Sequence, residues 1–273
     1  MKKLVVTGSF DNLRSSDVRF LEEASKSGDV RVLLWSDETA RCLEGKAPEF
    51  TAEERLYLLQ AIRYVREVRL VTGRVEPDAI PQTDEVQPEI WVVDEASDSL
   101  QKRAYCESHG VGYRVVKKEE LEGFPVARVD TPGEQSSRKK VIVTGCFDWF
   151  HSGHVRFFEE VSELGDLYVV VGHDENVRLL KGEGHPMFSQ DERRYMVQSV
   201  RYVKQALVST GHGWMDAEPE IATIKPDIYA VNEDGDKPEK RAFCEAHRIE
   251  YVVLKRIPKE GLPRRESTDL RGL

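Results

Sequence analysis

The chain has 273 residues, of which 40% are hydrophobic and 33% are charged, and no apolar run approaches 18 residues. This composition is typical of a globular protein with one or two domains, and it argues against membrane insertion and intrinsic disorder. The formal net charge of −9 argues against general nucleic-acid binding, which requires a broad basic surface.

The N-terminal segment MKKLVVTGSFDNL contains two lysines but only a four-residue apolar run. This run is too short for the hydrophobic region of a signal peptide, so we expect a cytoplasmic protein. The four cysteines have no CxxC spacing, so the sequence indicates neither a zinc site nor a disulfide framework.

Two segments of this chain have similar sequences. Residues 8–38 and 145–175 are identical at 15 of 31 aligned positions, which indicates a tandem duplication. The match extends to two further pairs of segments: 50–65 with 188–203, and 88–95 with 226–233. We therefore predict two domains, at 1–128 and 139–273, joined by a polar linker at 129–138.

Within each copy, short runs rich in Val, Ile and Leu alternate with segments of helical periodicity. This alternation predicts an α/β fold, with two tandem Rossmann-like domains that each contain a doubly wound parallel sheet. The apolar positions of the second copy predict helices at 158–161 and 193–203. Its predicted strands are 141–145, 167–172, 206–210, 228–232 and 251–255. Ligands bind beyond the carboxyl ends of such strands, so we expect a site after Gly145.

The stretch GCFDWFHSGHVRFFEE, residues 145–160, combines a glycine turn with two histidines at a predicted helix start. Gly145 permits a tight turn, and Gly153 permits close approach of the backbone to a ligand. The helix start offers unpaired N–H groups and the positive end of the dipole. His151 and His154 can converge on one phosphate group there. A lone histidine is more often satisfied by a neighbour, so the prediction depends on the combination.

This motif resembles the HxGH nucleotidyltransferase superfamily, particularly the cytidylyltransferases for glycerol phosphate, ethanolamine phosphate and choline phosphate. Cys146 stands where the family usually has Thr. Lys181 matches a phosphate-binding lysine, Arg193 matches the arginine of an ER-containing helix, and LPRRESTDLRG resembles the closing nucleotide-binding motif. The family pattern GxFDxxHxGH is met by Gly145, Phe147, Asp148, His151, Gly153 and His154.

The resemblance implies transfer of CMP from CTP to a phosphorylated alcohol or sugar, with release of pyrophosphate and with Mg²⁺ on the triphosphate. It assigns phosphate contacts to His151, His154, Lys181, and Arg264 or Arg265. The remaining nucleotide-binding residues would be Gly145, Cys146, Phe147, Gly153, Arg193, Ser267 and Thr268. Candidate acceptor-binding residues are Asp148, Asn232, Glu233 and Asp234, although a solvated acidic turn at 232–236 fits the sequence equally well.

Two alternative functions remain open at this stage. The STDLR ending also resembles the STxxR ending of adenylyltransferases, which would make ATP the nucleotide. The chain could also be a non-catalytic nucleotide sensor or scaffold. Taken singly, the lysine, the ER pair and the RRES segment are each typical of solvated charges.

The first copy lacks the histidines. Arg14 aligns with His151, Ser16 with Gly153, and Asp17 with His154. Because a carboxylate repels a triphosphate, we predict that the first domain is folded but catalytically inactive. We also predict that it serves as an intramolecular partner in a pseudo-dimer, and the sequence is compatible with a homo-oligomer as well.

Overall fold

The computed structural model describes residues 1–82, 87–126, 136–266 and 270. The chain separates into two compact units, Met1–Gly123 and Phe124–Leu273. The second unit begins at Phe124, whose ring packs against Tyr195 with centroids 5.5 Å apart. Only residues 136–138 of the predicted linker are among the described residues, so the predicted domain bounds stay a prediction.

The first unit contains a five-stranded parallel sheet with the order β3-β2-β1-β4-β5. Its strands are β1 (Lys3–Gly8), β2 (Asp29–Trp35), β3 (Val65–Val71), β4 (Ile90–Asp94) and β5 (Gly112–Val116). Its helices are α1 (Ser15–Ser25), α2 (Asp37–Glu44), α3 (Ala52–Ala61) and α4 (Leu100–His109).

The second unit repeats this arrangement, with the strand order β8-β7-β6-β9-β10 and all strands parallel. Its strands are β6 (Lys140–Gly145), β7 (Asp166–Val171), β8 (Val203–Val208), β9 (Ile228–Asn232) and β10 (Glu250–Leu254). Its helices are α5 (Ser152–Leu164), α6 (Asp174–Lys181), α7 (Gln190–Gln198), α8 (Glu218–Ile224) and α9 (Pro238–His247).

The central strand of each sheet is apolar because helices cover both faces of the sheet. Val141, Ile142 and Val143 of β6 have no exposed surface. The predicted fold class is therefore confirmed, and the shared strand order is what a duplication predicts. Among the residues that the structure describes, no helix has the length and apolar character needed to cross a bilayer.

The prediction of a helix at 193–203 was wrong at its C-terminal end, because α7 ends at Gln198. The side-chain amide of Gln198 accepts a hydrogen bond from Ala206 N at 2.7 Å and donates to Lys204 O at 3.4 Å. These bonds attach the helix end to strand β8, which runs from Val203 to Val208 instead of 206–210. At the edge of the sheet, the polar residues of β8 remain partly exposed.

We predict that Gly165→Ala destabilises the second unit. A Cβ atom at Gly165 would overlap the carbonyl oxygen of Lys139, which accepts the Asp166 N–H at the start of the β6–β7 pairing. The free energy of unfolding should fall by about 1–3 kcal/mol, as it does for overpacked sites. Gly235→Ala is the control, because its Cβ would meet only ordinary contacts. Equal melting temperatures for the two variants would contradict the prediction.

Candidate functional site

The site begins with a tight turn after strand β6. Phe147 has a left-handed backbone with φ +52°, and its ring lies where a side chain on Gly145 would be, 2.8 Å from the ideal Cβ position. Phe10 of the first unit has the same conformation, with φ +47°. Glycine at position 145 therefore allows the Phe147 ring to fold back over the strand end.

Asp148 supports the loop before α7. Its carboxylate accepts hydrogen bonds from the backbone N–H groups of Met187 and Phe188 at 2.8–3.1 Å. Asp11 of the first unit makes the equivalent bonds to the loop before α3. The structure thus directs the Asp148 carboxylate toward the loop backbone, although the sequence suggested acceptor binding.

Arg193 connects the ends of two strands from a position with 1% exposure. Its guanidinium donates to Cys146 O at 2.6 Å, to Gly172 O at 2.8 Å and to Asp174 Oδ1 at 2.7 Å. Its Nε donates to Phe188 O at 2.9 Å. Arg193 does not line the cavity formed at His151 and His154, which is described below. Its contacts therefore indicate that it positions the turn after β6.

Cys146 lies within this turn. Burial raises the pKa of its thiol, an effect that the positive charges of Lys181 and Arg193 oppose. A thiol with a raised pKa is a poor nucleophile at neutral pH, so the structure favours a structural position for this side chain.

His151 is the N-cap residue of α5 and is 1% exposed. Its Nδ1 accepts a hydrogen bond from Gly153 N at 3.1 Å, so the ring proton of the neutral form is on Nε2. Burial lowers the pKa of His151 to about 3, with contributions from the charges of Arg256 and Arg265. At neutral pH this imidazole is therefore an uncharged hydrogen-bond donor.

His154 stacks on His151, with ring centroids 4.0 Å apart and an interplanar angle of 25°. Phe147 approaches the His154 ring edge-on at 5.3 Å. Burial holds the pKa of His154 well below its usual value, and His151, Arg256 and Lys181 act in the same direction. The two imidazoles thus form a neutral pair at the start of α5.

The histidines line a cavity of about 150 Å³ together with Thr144, Gly153 and Asn232. Within the described residues, three buried polar atoms at this cavity have no hydrogen-bond partner: His151 Nε2, His154 Nδ1 and Asn232 Oδ1. Buried polar atoms are normally satisfied, and leaving one unpaired costs about 1–3 kcal/mol. Because all three atoms belong to residues that line one cavity, a polar ligand bound there could supply the missing partners.

Arg256 is a site residue that the sequence interpretation missed. It lines the cavity, forms an ion pair with Asp234 at 2.8 Å and donates to Arg265 O at 3.2 Å. It follows β10 by two residues, and residues just after a strand of a parallel sheet face the ligand edge. That rule could have identified it.

The other predicted residues occupy different positions. Lys181 is exposed at the end of α6, and the Arg264 side chain is 61% exposed and 3.3 Å from Glu266 Oε1. Arg264 and Arg265 line a smaller cleft beside the cavity, while Glu233 accepts from Arg256 N at 3.3 Å. Ser267 and Thr268 lie outside the described residues.

In the described part of the chain, no group of three or more His, Cys, Asp or Glu side chains could hold a metal ion. Asp234 is the carboxylate that lines the cavity, and Arg256 is its ion-pair partner. Mg²⁺ commonly reaches a site through one or two carboxylates and the substrate phosphates, so these residues are compatible with an ion that arrives with a nucleotide.

The first unit contains a corresponding cavity of about 280 Å³ with the opposite charge. Asp17 and Asp94 occupy the positions of His154 and Asn232, and Glu44 ends α2 as Lys181 ends α6. Burial, together with the Asp94 charge, raises the pKa of Asp17 to about 6, against the backbone hydrogen bond from Arg14. The first cavity thus has the corresponding place in the fold but presents carboxylates.

Parts of the chain are similar in sequence to known proteins. The sequence profile described as cytidylyltransferase-like matches residues 142–264. A protein named FAD synthase from Aciduliprofundum boonei is 36% identical over 136 residues, covering 49% of this chain and 84% of that protein. The FAD synthase from Thermococcus kodakarensis is 36% identical over 102 residues, covering 37% of this chain and 66% of that protein.

A shorter part of a further relative also matches. The bifunctional protein HldE from Campylobacter concisus is 37% identical over 102 residues, covering 37% of this chain and 21% of that protein. The chain thus spans 84% of the length of the A. boonei protein, 66% of the T. kodakarensis protein and 21% of the C. concisus protein.

We predict that His151 destabilises the folded protein in acid. Below pH 6.5 the unfolded chain binds a proton at His151, whereas the folded protein does not bind it until about pH 3. As the pH is lowered from 6.5 to about 3, the contribution of His151 to the free energy of unfolding therefore decreases. His151→Asn should lose less thermal stability between pH 7 and pH 4 than the wild type. The exposed His247→Asn variant is the control, and identical pH profiles for all three proteins would contradict the prediction.

Asp17 should cost stability at neutral pH, because its pKa rises from 3.8 to about 6 on folding. The contribution is favourable below pH 3.8 and is lost as the pH rises through 6. Asp17→Asn should therefore increase the free energy of unfolding at pH 7 by about 1–3 kcal/mol and have little effect at pH 3.5. Denaturant unfolding at the two pH values measures this, and equal gains at both would reject it.

Proposed function

The chain belongs to the cytidylyltransferase-like family of nucleotidyltransferases, and we propose that its second unit transfers a nucleotidyl group from a nucleoside triphosphate to a phosphorylated small molecule. The observation that carries the proposal is the set of unpaired polar atoms of His151, His154 and Asn232 around one cavity. A phosphate and its attached nucleoside offer acceptors and donors for these atoms.

In the proposed reaction, an oxygen of the acceptor phosphate attacks the α-phosphorus of the nucleotide. A new P–O bond forms as the bond between the α-phosphorus and the bridging oxygen breaks, and pyrophosphate leaves with that electron pair. The attacking oxygen is already anionic, so the step needs no protein nucleophile and no strong base. Catalysis would depend on positioning and on stabilisation of the phosphate charge.

The neutral imidazoles suit this task. His151 Nε2 would donate a hydrogen bond to a phosphate oxygen, and His154 beside it would bind the same group. Arg256 would balance the charge of the triphosphate, with Arg264 or Arg265 at the β- and γ-phosphates and Lys181 at the outer edge. Asn232 would bind the ribose or the acceptor. Mg²⁺, when bound to the triphosphate, would neutralise phosphate charge, and Asp234 is the cavity carboxylate that would help to hold it.

For the nucleotide we favour ATP. The reported FAD synthases share 36% identity with this chain, and FAD contains an adenylyl group, so its synthesis by this chemistry would use ATP. The STDLR ending supports the same choice. CTP is the second candidate, supported by the resemblance of the motif set to phospho-alcohol cytidylyltransferases and by the matching family profile.

We propose that the first unit does not catalyse this reaction. Asp17, Asp94 and Glu44 line its cavity, where they would repel a triphosphate. Arg14 replaces His151 as the N-cap residue of the first helix. The first unit would thus share the fold of the second without its catalytic groups.

We predict that His154→Ala lowers the rate of pyrophosphate release on the order of 10²-fold or more, as loss of a preorganised donor does. The assay uses full-length protein, Mg²⁺, and ATP or CTP against a panel of phosphorylated alcohols, sugars and flavin mononucleotide. Asp17→Asn is the matched control at the equivalent position and should leave turnover unchanged.

A loss of activity in the Asp17 variant with none in the His154 variant would place the reaction in the first unit and overturn the assignment. Faster turnover with CTP than with ATP would make CTP the nucleotide. The absence of pyrophosphate release with every pair, together with no nucleotide binding by calorimetry, would reject the proposed function.

A further inference from the structure

The connections from β6 through α5 to β7 and from β9 through α9 to β10 run in opposite directions across the sheet, so right-handed crossovers place α5 and α9 on opposite faces. A lysine on α9 lines the same cavity as the histidines of α5. Lys240 is the third residue of α9, is half-buried and lines the cavity together with His154. Its Nζ lies 5.7 Å from the centroid of the Tyr229 ring. The hydroxyl group of Tyr229 is hydrogen-bonded to Thr144 Oγ1 at 2.7 Å, which fixes the ring beneath the lysine.

The first unit contains the same pair, which provides an internal comparison. Lys102 is the third residue of α4, and its Nζ lies 5.6 Å from the Trp91 ring. This ammonium group also donates a hydrogen bond to Ser97 O at 2.6 Å. The carbonyl in the cavity wall therefore satisfies Lys102 without a ligand.

Lys240 lacks such a partner. Gly235 takes the position of Ser97, and among the described residues the Lys240 ammonium group makes no hydrogen bond and no ion pair. Burial lowers the pKa of Lys240, as does the charge of Lys237, while Asp216 and Asp234 oppose the change. Because an ammonium group has three donors, this partly desolvated cation can bind an anionic ligand.

The other cation that lines the cavity, Arg256, already has protein partners. Arg256 pairs with Asp234 and donates to the carbonyl of Arg265, next to the start of α5. In the proposed reaction, this side of the cavity holds the triphosphate. An in-line transfer requires the attacking phosphate to lie on the opposite side of the α-phosphorus from the leaving pyrophosphate.

We propose that Lys240 binds the phosphate of the acceptor and thereby selects a phosphate monoester as the second substrate. The inference rests on the proposed function and makes it more specific. The ammonium group would hold two of the non-attacking oxygens, and the Tyr229 ring would keep the lysine side chain extended along the cavity wall. The carbonyl of Gly235 makes no hydrogen bond to Lys240 like the one from Lys102 to Ser97 O, which leaves the ammonium group available to the ligand.

The test measures binding of inorganic phosphate to the full-length protein by ³¹P line broadening, with a saturating non-hydrolysable ATP analogue present. Lys240→Met keeps the apolar stem over Tyr229 and removes the charge. Its phosphate affinity should fall about tenfold or more, because a hydrogen bond to a charged group contributes about 1.5–3 kcal/mol. Lys240→Arg should retain most of the affinity, and Lys240→Gln repeats the charge removal if the methionine disturbs packing.

Lys102→Met is the matched control and should bind phosphate like the wild type. The proposal is overturned if the wild type binds no phosphate, if Lys240→Met binds it normally, or if Lys181→Met loses binding while Lys240→Met does not. Calorimetry with the ATP analogue and with the corresponding CTP analogue separates the two proposals. A wild type that binds neither nucleotide but loses phosphate binding on Lys240→Met would retain the lysine assignment and reject nucleotidyl transfer.

Discussion

The buried guanidinium of Arg193 holds together the strand ends from which the cavity is built. Its donors reach the carbonyls of Cys146 and Gly172, which follow the neighbouring strands β6 and β7, and the carboxylate of Asp174. Burying this charge is favourable only because every direction of the fork meets an acceptor. Removing one of these acceptors would leave a buried charge partly unpaired, which is destabilising. The turn that presents His151 therefore depends on a residue outside the cavity.

A similar set of hydrogen bonds occurs in the first unit, where the Arg55 guanidinium donates to Ser9 O, Phe50 O and the Asp37 carboxylate. Both units thus keep the strand order, the Phe turn and the buried arginine, while the groups that face the cavity differ. This separation is physically reasonable, because a charged group at a cavity wall contributes little to the packing of the sheet. The cavity side chain can therefore be Asp17 in one unit and His154 in the other, while the hydrogen bonds of Arg55 and Arg193 are kept in both.

The site in the second unit combines neutral and charged groups. Burial keeps His151 and His154 uncharged, so they act through N–H dipoles rather than through full charges. The positive charge comes from Arg256 and Lys240 at the cavity wall, with Asp234 paired to the first of these. Because both imidazoles stay uncharged at neutral pH, their hydrogen-bonding roles do not change there.

The sequence by itself determined the α/β class, the repeat and the helix start with two histidines, because these follow from local periodicity and from motif spacing. It did not determine the distant partners of Asp148 and Arg193, which lie about 20 to 50 positions away along the chain. It also missed Arg256 and gave no reason to distinguish Lys240 from Lys102. Those distinctions depend on which carbonyls and carboxylates the packed strands and helices bring beside each cation, and only the tertiary structure decides that.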